Sequence, residues 1–175
     1  MNSLHQSGGD IRNALSIDVE DYFQVSAFEQ HIARDDWHRV PCRVEQNMER
    51  IFALLDEHGV HATFFVLGWI AERYPRLPRA IVDYGHELAS HGYEHIRVTQ
   101  QDRAAFGQDI RRTKSLLEDL GGAGVQGYRA ASYSVNETNL WAHDELQEAG
   151  YRYSSSIYPI HHDLYRIPNA PRFPF

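Results

Sequence analysis

The sequence predicts an α/β fold of parallel strands joined by helical crossovers, and three observations carry that expectation. Short β-type runs alternate with segments of helical period along most of the 175 residues. Glycines stand where the helical segments should stop. Acidic, imidazole and guanidinium side chains repeatedly follow strand ends, where such folds place their ligands. Alternation alone leaves two architectures open, an open doubly wound sheet and a barrel. With 42% hydrophobic and 23% charged residues the chain can bury one core, so one domain is expected.

Taken in order, residues 1–12 read as a disordered polar leader. Asn13 to Ile17 reads as a short buried strand running into the acidic cluster Asp18-Val19-Glu20-Asp21. From Arg43 to His58 the apolar positions Val44, Met48, Ile51, Phe52 and Leu55 recur at helical spacing, with Gly59 as a left-handed stop. Ala62 to Leu67 is an unbroken run suited to a strand buried on both faces, bounded by Gly68. A helix through Leu77, Ile81 and Val82 should follow Pro75 and stop at Gly85. Glu87-Leu88-Ala89 reads as the third strand. Gln101 to Leu120 carries Phe106, Ile110, Leu116, Leu117 and Leu120 on a long helix, opened by Thr99 with Asp102 and closed by Gly121-Gly122. Gly124–Tyr128 is a weaker strand, Asn136–Ala149 a helix ended by Gly150, and Tyr151–Ile157 a last strand. Beyond Tyr158 the pattern dissolves, and the doublet His161-His162 reads as a solvated loop.

The net charge of −7 is spread along the chain, so no basic stripe argues for nucleic acid or an anionic membrane surface. No segment has the length and apolarity of a membrane span or a signal peptide, which gives the expectation of a cytoplasmic protein. Cys42 is the single cysteine, so no internal disulfide forms, and it reads as a structural thiol. Oligomeric state is not legible.

The most informative stretch is Ser90-His91-Gly92-Tyr93-Glu94-His95, because imidazoles four residues apart after a strand end can close on one metal ion. Eleven histidines make that spacing recur by chance, so it needs support. Ala14 to Asp21 supplies it, with carboxylates at another strand end. If Asp18 and Glu20 flank the site, one carboxylate exceeds what a three-ligand site with an open water position requires, and the spare one can act as general base. Arg129, after the fourth strand, could hold that base in a bidentate pair. Tyr22, Phe23, Trp69, Tyr93 and Tyr133 would suit stacking on sugar rings, whereas Phe64 and Phe65 read as core.

On these motifs the chain resembles the NodB-like polysaccharide deacetylases (carbohydrate esterase 4-like). It is most similar to the subgroup associated with exopolysaccharide gene clusters, whose first motif runs Asp-Val-Glu-Asp-Tyr-Phe. The likeness covers Asn13 to about Pro168 and rests on Ser16–Asp21, Ala62–Gly68 and Ser90–His95. It implies a deformed (β/α) barrel, a divalent metal, most often Zn2+, and removal of N-acetyl groups from a polysaccharide or oligosaccharide. By position, Asp18 would be the general base and His91 and His95 metal ligands. Glu20 is favoured as the third ligand, with Asp21 as the alternative. Arg129 would orient the base. Backbone amides near Ser132 and Tyr133 would hold the oxyanion.

Three departures qualify the likeness. Ala131 stands where the family prefers proline, and Ser154 where this subgroup has aspartate. The family's general-acid histidine comes from a later strand, and His161 and His162 lie too early to be that residue. The expectation is therefore a deacetylase domain over 13–175 lacking the last motif, incomplete at its C-terminus. Two other readings stay open on these residues: a catalytically impaired, metal-bound carbohydrate-binding module, and an amidase acting on a small amide or imide.

Overall fold

The computed structural model describes residues 13–160 and 167–171. The leader at 1–12 and the doublet His161-His162 lie outside the described residues. Among the described residues, five strands form one sheet in the order β1-β2-β3-β4-β5: β1 Ser16–Val19, β2 Thr63–Val66, β3 Glu87–Ser90, β4 Gly127–Tyr128 and β5 Tyr153–Ser154. Every neighbouring pair is parallel. The crossovers carry α1 Val44–Glu57, α2 Gly68–Arg73, α3 Leu77–Asp83, α4 Arg103–Gly121 and α5 Trp141–Glu148.

Strand order settles the architecture that alternation left open. A doubly wound sheet reverses its stepping direction partway, whereas here each crossover steps the same way along the sheet and the helices pack on one face. That is the progression of a (β/α) barrel, here with five strands, and the structure is consistent with the deformed barrel expected.

The two faces of the sheet divide the labour. Register aligns Val19, Val66, Ser90, Tyr128 and Ser154 in one row, and Phe64 with Leu88 in the row two below Tyr128. Phe64, Val66, Leu88 and Tyr128 join the helix-side core with Met48, Phe52, Ile81, Phe106, Ile110 and Leu117. Because side chains alternate across a strand, Ser16, Asp18, Phe65, His91, Arg129 and Ser155 belong to the opposite face.

The helices form where the apolar spacing required them. In α1 the buried positions are Val44, Met48, Phe52 and Leu55, and Gly59 follows at φ 62°. Leu77 and Ile81 are buried in α3, with Gly85 beyond it at φ 77°. The α4 helix buries Phe106, Ile110 and Leu117 and ends at Gly122 in the left-handed region. Among the described residues no helix is long and apolar enough to cross a membrane.

Several boundaries differ from expectation. The first strand begins at Ser16 and only Val19 is buried in it, because β1 is an edge strand with one partner. The short α2, Gly68–Arg73, was not foreseen: six residues are too few to show a helical period. The cap of α4 is Asp102 itself, whose carboxylate accepts from the Ala105 amide at 2.8 Å, so Thr99 plays no part. The last helix starts only at Trp141, since the Asn136 and Asn139 side chains close a turn before it. Cys42 is half-buried, and burial pushes its thiol up, away from thiolate chemistry.

Candidate metal centre

The site grows from the ends of β1, β3 and β4. Glu20, His91 and His95 each bring one donor atom within 4.8 Å of the others. His91 leaves β3 with its Nδ1 2.8 Å from the Arg129 carbonyl oxygen, so Nδ1–H donates there and Nε2 carries the lone pair. His95 returns to the same place because the chain turns twice, with Gly92 at φ 74° and His95 itself at φ 52°. The second angle lies in the left-handed region, sparse for a non-glycine residue, and is held by the surrounding loop.

Asp109 of α4 pins that loop. Its two carboxylate oxygens lie 3.2 and 3.3 Å from the Tyr93 amide, midway between the imidazoles. Burial pushes the Asp109 carboxyl up to about 6. No local motif marked this residue, since it reaches the loop from a helical position 16 residues downstream of Tyr93.

Two carboxylates on β1 meet opposite environments. Asp18 Oδ1 accepts from Arg129 Nη1 at 2.6 Å, while its Oδ2 lies 3.9 Å from His91 Nε2. Arg129 also donates through Nη2 to Ser16 Oγ at 2.8 Å and Ser155 Oγ at 2.9 Å, and its guanidinium lies 4.0 Å above the Phe65 ring. Glu20 has no such cation. Its Oε2 is buried without a hydrogen-bond partner among the described residues. Burial first, and the Asp18 charge second, push the Glu20 carboxyl up to about 8. Burial first, and His91 second, push His95 down to about 3. Both shifts disfavour the charged forms across the 3.3 Å contact between Glu20 and His95.

These properties fit a divalent cation. A neutral imidazole pair and a buried carboxylate oxygen without a partner are the donors such an ion takes, and its charge would offset the cost of ionising Glu20. Asp21, the alternative ligand, is committed elsewhere. It caps the 3-10 turn at Tyr22–Gln24, accepting from the Tyr22 amide at 2.8 Å, and it also takes the Arg43 amide and guanidinium. Burial alone would raise its carboxyl, but the hydrogen bonds from Arg43 and Tyr22 outweigh that and hold it below the ordinary range.

The residues expected to meet a saccharide divide. Tyr22 is exposed and stands edge-on to Phe28 at 5.8 Å. Tyr93 is buried at 6% exposure: its ring lies beneath Arg112 at 3.6 Å and its hydroxyl donates to Glu72, so it secures α2 and α4 rather than facing a ligand. Phe23 is likewise core, packed against Trp37 and Trp69. Ser132 and Tyr133 both adopt positive φ, 51° and 49°. Tyr133 donates its amide to the Ala130 carbonyl at 3.0 Å, and Ser132 Oγ bonds Ser26 Oγ at 2.6 Å.

Sequence reasoning missed the serines. Ser16, Ser155 and Ser156 position Arg129 and its successor, with Ser156 Oγ accepting from the Ala130 amide at 2.9 Å. The signal for Ser16 was its place two residues before Asp18, on the same strand face. Ser154, the departure from the subgroup's aspartate, bonds Ser156 Oγ at 2.6 Å and so braces the same loop.

Fold and site together define a parallel α/β barrel-type protein with a His-His-carboxylate centre at its strand ends. The sequence profile of the polysaccharide deacetylase family matches residues 34–154, and the chain belongs to that family. The match includes His91, His95 and Arg129 but not Asp18 or Glu20. The chain is 30% identical over 97 residues, 55% of its length and 35% of the relative's, to the peptidoglycan-N-acetylglucosamine deacetylase of Bacillus cereus. It is 31% identical over 123 residues, 69% of its length and 36% of the relative's, to the peptidoglycan deacetylase-like protein FGM2 of Gibberella zeae. A crystal structure of a Mycobacterium smegmatis protein assigned to the polysaccharide deacetylases superposes with a TM-score of 0.67 at 29% identity, covering 82% of this chain and 50% of that one. The chain thus spans about a third of the length of the curated relatives it matches.

Proposed function

We infer that the chain is the metal-binding part of a hydrolase that removes N-acetyl groups from a saccharide. The observation that carries this reading is the division between the β1 carboxylates. Glu20 joins the imidazoles, whereas Asp18 is held at 2.6 Å by Arg129. A divalent cation, with zinc the choice that two imidazoles and one carboxylate favour, would supply Lewis acidity and a lowered pKa for water.

The chain's own groups supply the rest. Asp18 Oδ2, 3.9 Å from His91 Nε2, is placed to take the proton of a water attacking the acyl carbon. Arg129 fixes the other oxygen, so the base presents one lone pair in one direction. Oxyanion contact from the 130–134 loop falls to the Ser132 amide, since that of Tyr133 is already used. The Bacillus and Gibberella relatives support an N-acetylated saccharide as substrate. The Asp-Val-Glu-Asp-Tyr-Phe form of residues 18–23 supports a role in exopolysaccharide production.

Zinc titration followed by acetate release from N-acetylglucosamine oligomers tests this reading. One zinc per chain and zinc-dependent acetate release are expected. Failure of the chain to take up zinc contradicts the reading. Zinc uptake with release only from small cyclic imides would move the substrate class elsewhere.

A further inference from the structure

A cavity of about 280 Å³ opens beside the metal centre, with His95 in its wall. Its other lining comes from the segment between β1 and α1, residues 23–37. Most of that wall, residues 23–33, lies outside the region matched by the family profile.

The wall is stapled across the strand ends. Ser26 Oγ meets Ser132 Oγ at 2.6 Å, and Arg34 Nε donates to the Glu94 carbonyl at 3.1 Å. Glu29 bridges Arg34, at 3.3 Å, and Arg97. These links join the segment to the loops that carry His95 and Tyr133, so the cavity exists before any ligand arrives, and little ordering is needed on binding.

We propose that this cavity is a subsite for a single neutral sugar ring, the residue next to the one whose acetyl group lies at the metal centre. The proposal rests on the deacetylase reading and adds to it where the polymer runs. Size suits the occupant, a space of about 280 Å³ being enough to admit one ring. Chemistry selects it. Val25, Ile32 and the edge of Trp37 give an apolar side for the C–H face of a pyranose. Glu29 and Arg34 give an acceptor and a donor for its hydroxyls. Gln24 is fixed by accepting the Asp21 amide at 2.9 Å, which leaves Gln24 Nε2 a buried donor lacking a partner among the described residues. Trp37 Nε1 is in the same state. A hydroxyl-rich ligand brings acceptors to a wall short of them. Arg34 and Arg97 are balanced by Glu29 and Asp35, so neither an anionic nor a cationic sugar is favoured.

Calorimetry of the zinc-loaded Asp18→Asn chain, in which turnover is slowed at least about 100-fold, tests this with N-acetylglucosamine and its tetramer. The tetramer should bind about tenfold more tightly, a difference of about 1.4 kcal/mol. Ala33→Trp, which fills the cavity from its wall, should abolish that gain while zinc and monomer affinities stay within about twofold of the parent. Val25→Trp should do the same from another part of the wall. Equal binding of monomer and tetramer by the parent, or a tetramer preference that survives both substitutions, overturns the subsite and leaves the deacetylase reading standing. Zinc uptake with no binding of either saccharide overturns both.

Discussion

The two faces of the sheet are made from the same five strands yet obey different rules. On the helix side, Phe64, Val66, Leu88 and Tyr128 are fully or almost fully buried and interchangeable in kind, any well-shaped apolar group serving. On the other side each residue is held by particular partners. Asp18 takes Arg129, and Arg129 divides its second nitrogen between Ser16 and Ser155. The first face sets stability and the second sets chemistry. Substitutions should therefore separate cleanly by face, and the largest effect offers the most direct way to break that separation.

Asp18→Asn keeps the shape of the open face and removes the proposed base. Acetate release should fall by about 10²- to 10⁴-fold while zinc affinity is kept. Phe64→Ala acts on the other face. It should cost about 3–5 kcal/mol in urea unfolding of the metal-free chain, with one zinc still bound per folded molecule. A loss of zinc stoichiometry without loss of stability would break the comparison.

Asp109 links the two faces, since it rises from α4 to hold the metal-centre loop. Its carboxyl is raised from 3.8 to about 6, so the folded chain binds the proton more tightly than the unfolded chain between those values. Stability from this group is full below pH 3.8 and is lost as pH rises through 6, by about 3 kcal/mol at 1.36 kcal/mol per unit. Asp109→Asn can still accept the Tyr93 amide and should flatten that part of the pH–stability curve. An unchanged curve would remove Asp109 from the account. The smallest effect is expected for Arg129→Lys, which keeps the charge but loses the fork shared by Asp18, Ser16 and Ser155. The rate should drop by about 10- to 100-fold with zinc affinity and unfolding free energy nearly unchanged.

The same contrast explains what could be read from the sequence. Apolar periodicity exposes a buried face directly, which is why α1, α3, β2 and the glycine stops were legible. The His91/His95 pair and the acidic β1 end were also visible, because short spacing and strand ends bring those donors together locally. Whether the sheet was open or closing was not visible, since stepping direction is a property of strand pairing. The family likeness favours Glu20 over Asp21, but the residues alone do not separate them: adjacent carboxylates look alike until Arg43, 22 positions away, occupies one of them. Tyr93 failed as a sugar platform for a related reason, its burial being set by Arg112 and Glu72 from two other helical segments.

We propose that Glu20, and neither of its acidic neighbours, completes the metal centre. Zinc calorimetry on four chains addresses it most directly: the parent, Glu20→Gln, Asp21→Asn and Asp18→Asn. One tight zinc should bind to the parent, Asp21→Asn and Asp18→Asn, and binding should weaken sharply in Glu20→Gln alone. Parent-like zinc binding by Glu20→Gln, together with loss in Asp18→Asn or Asp21→Asn, would contradict the account.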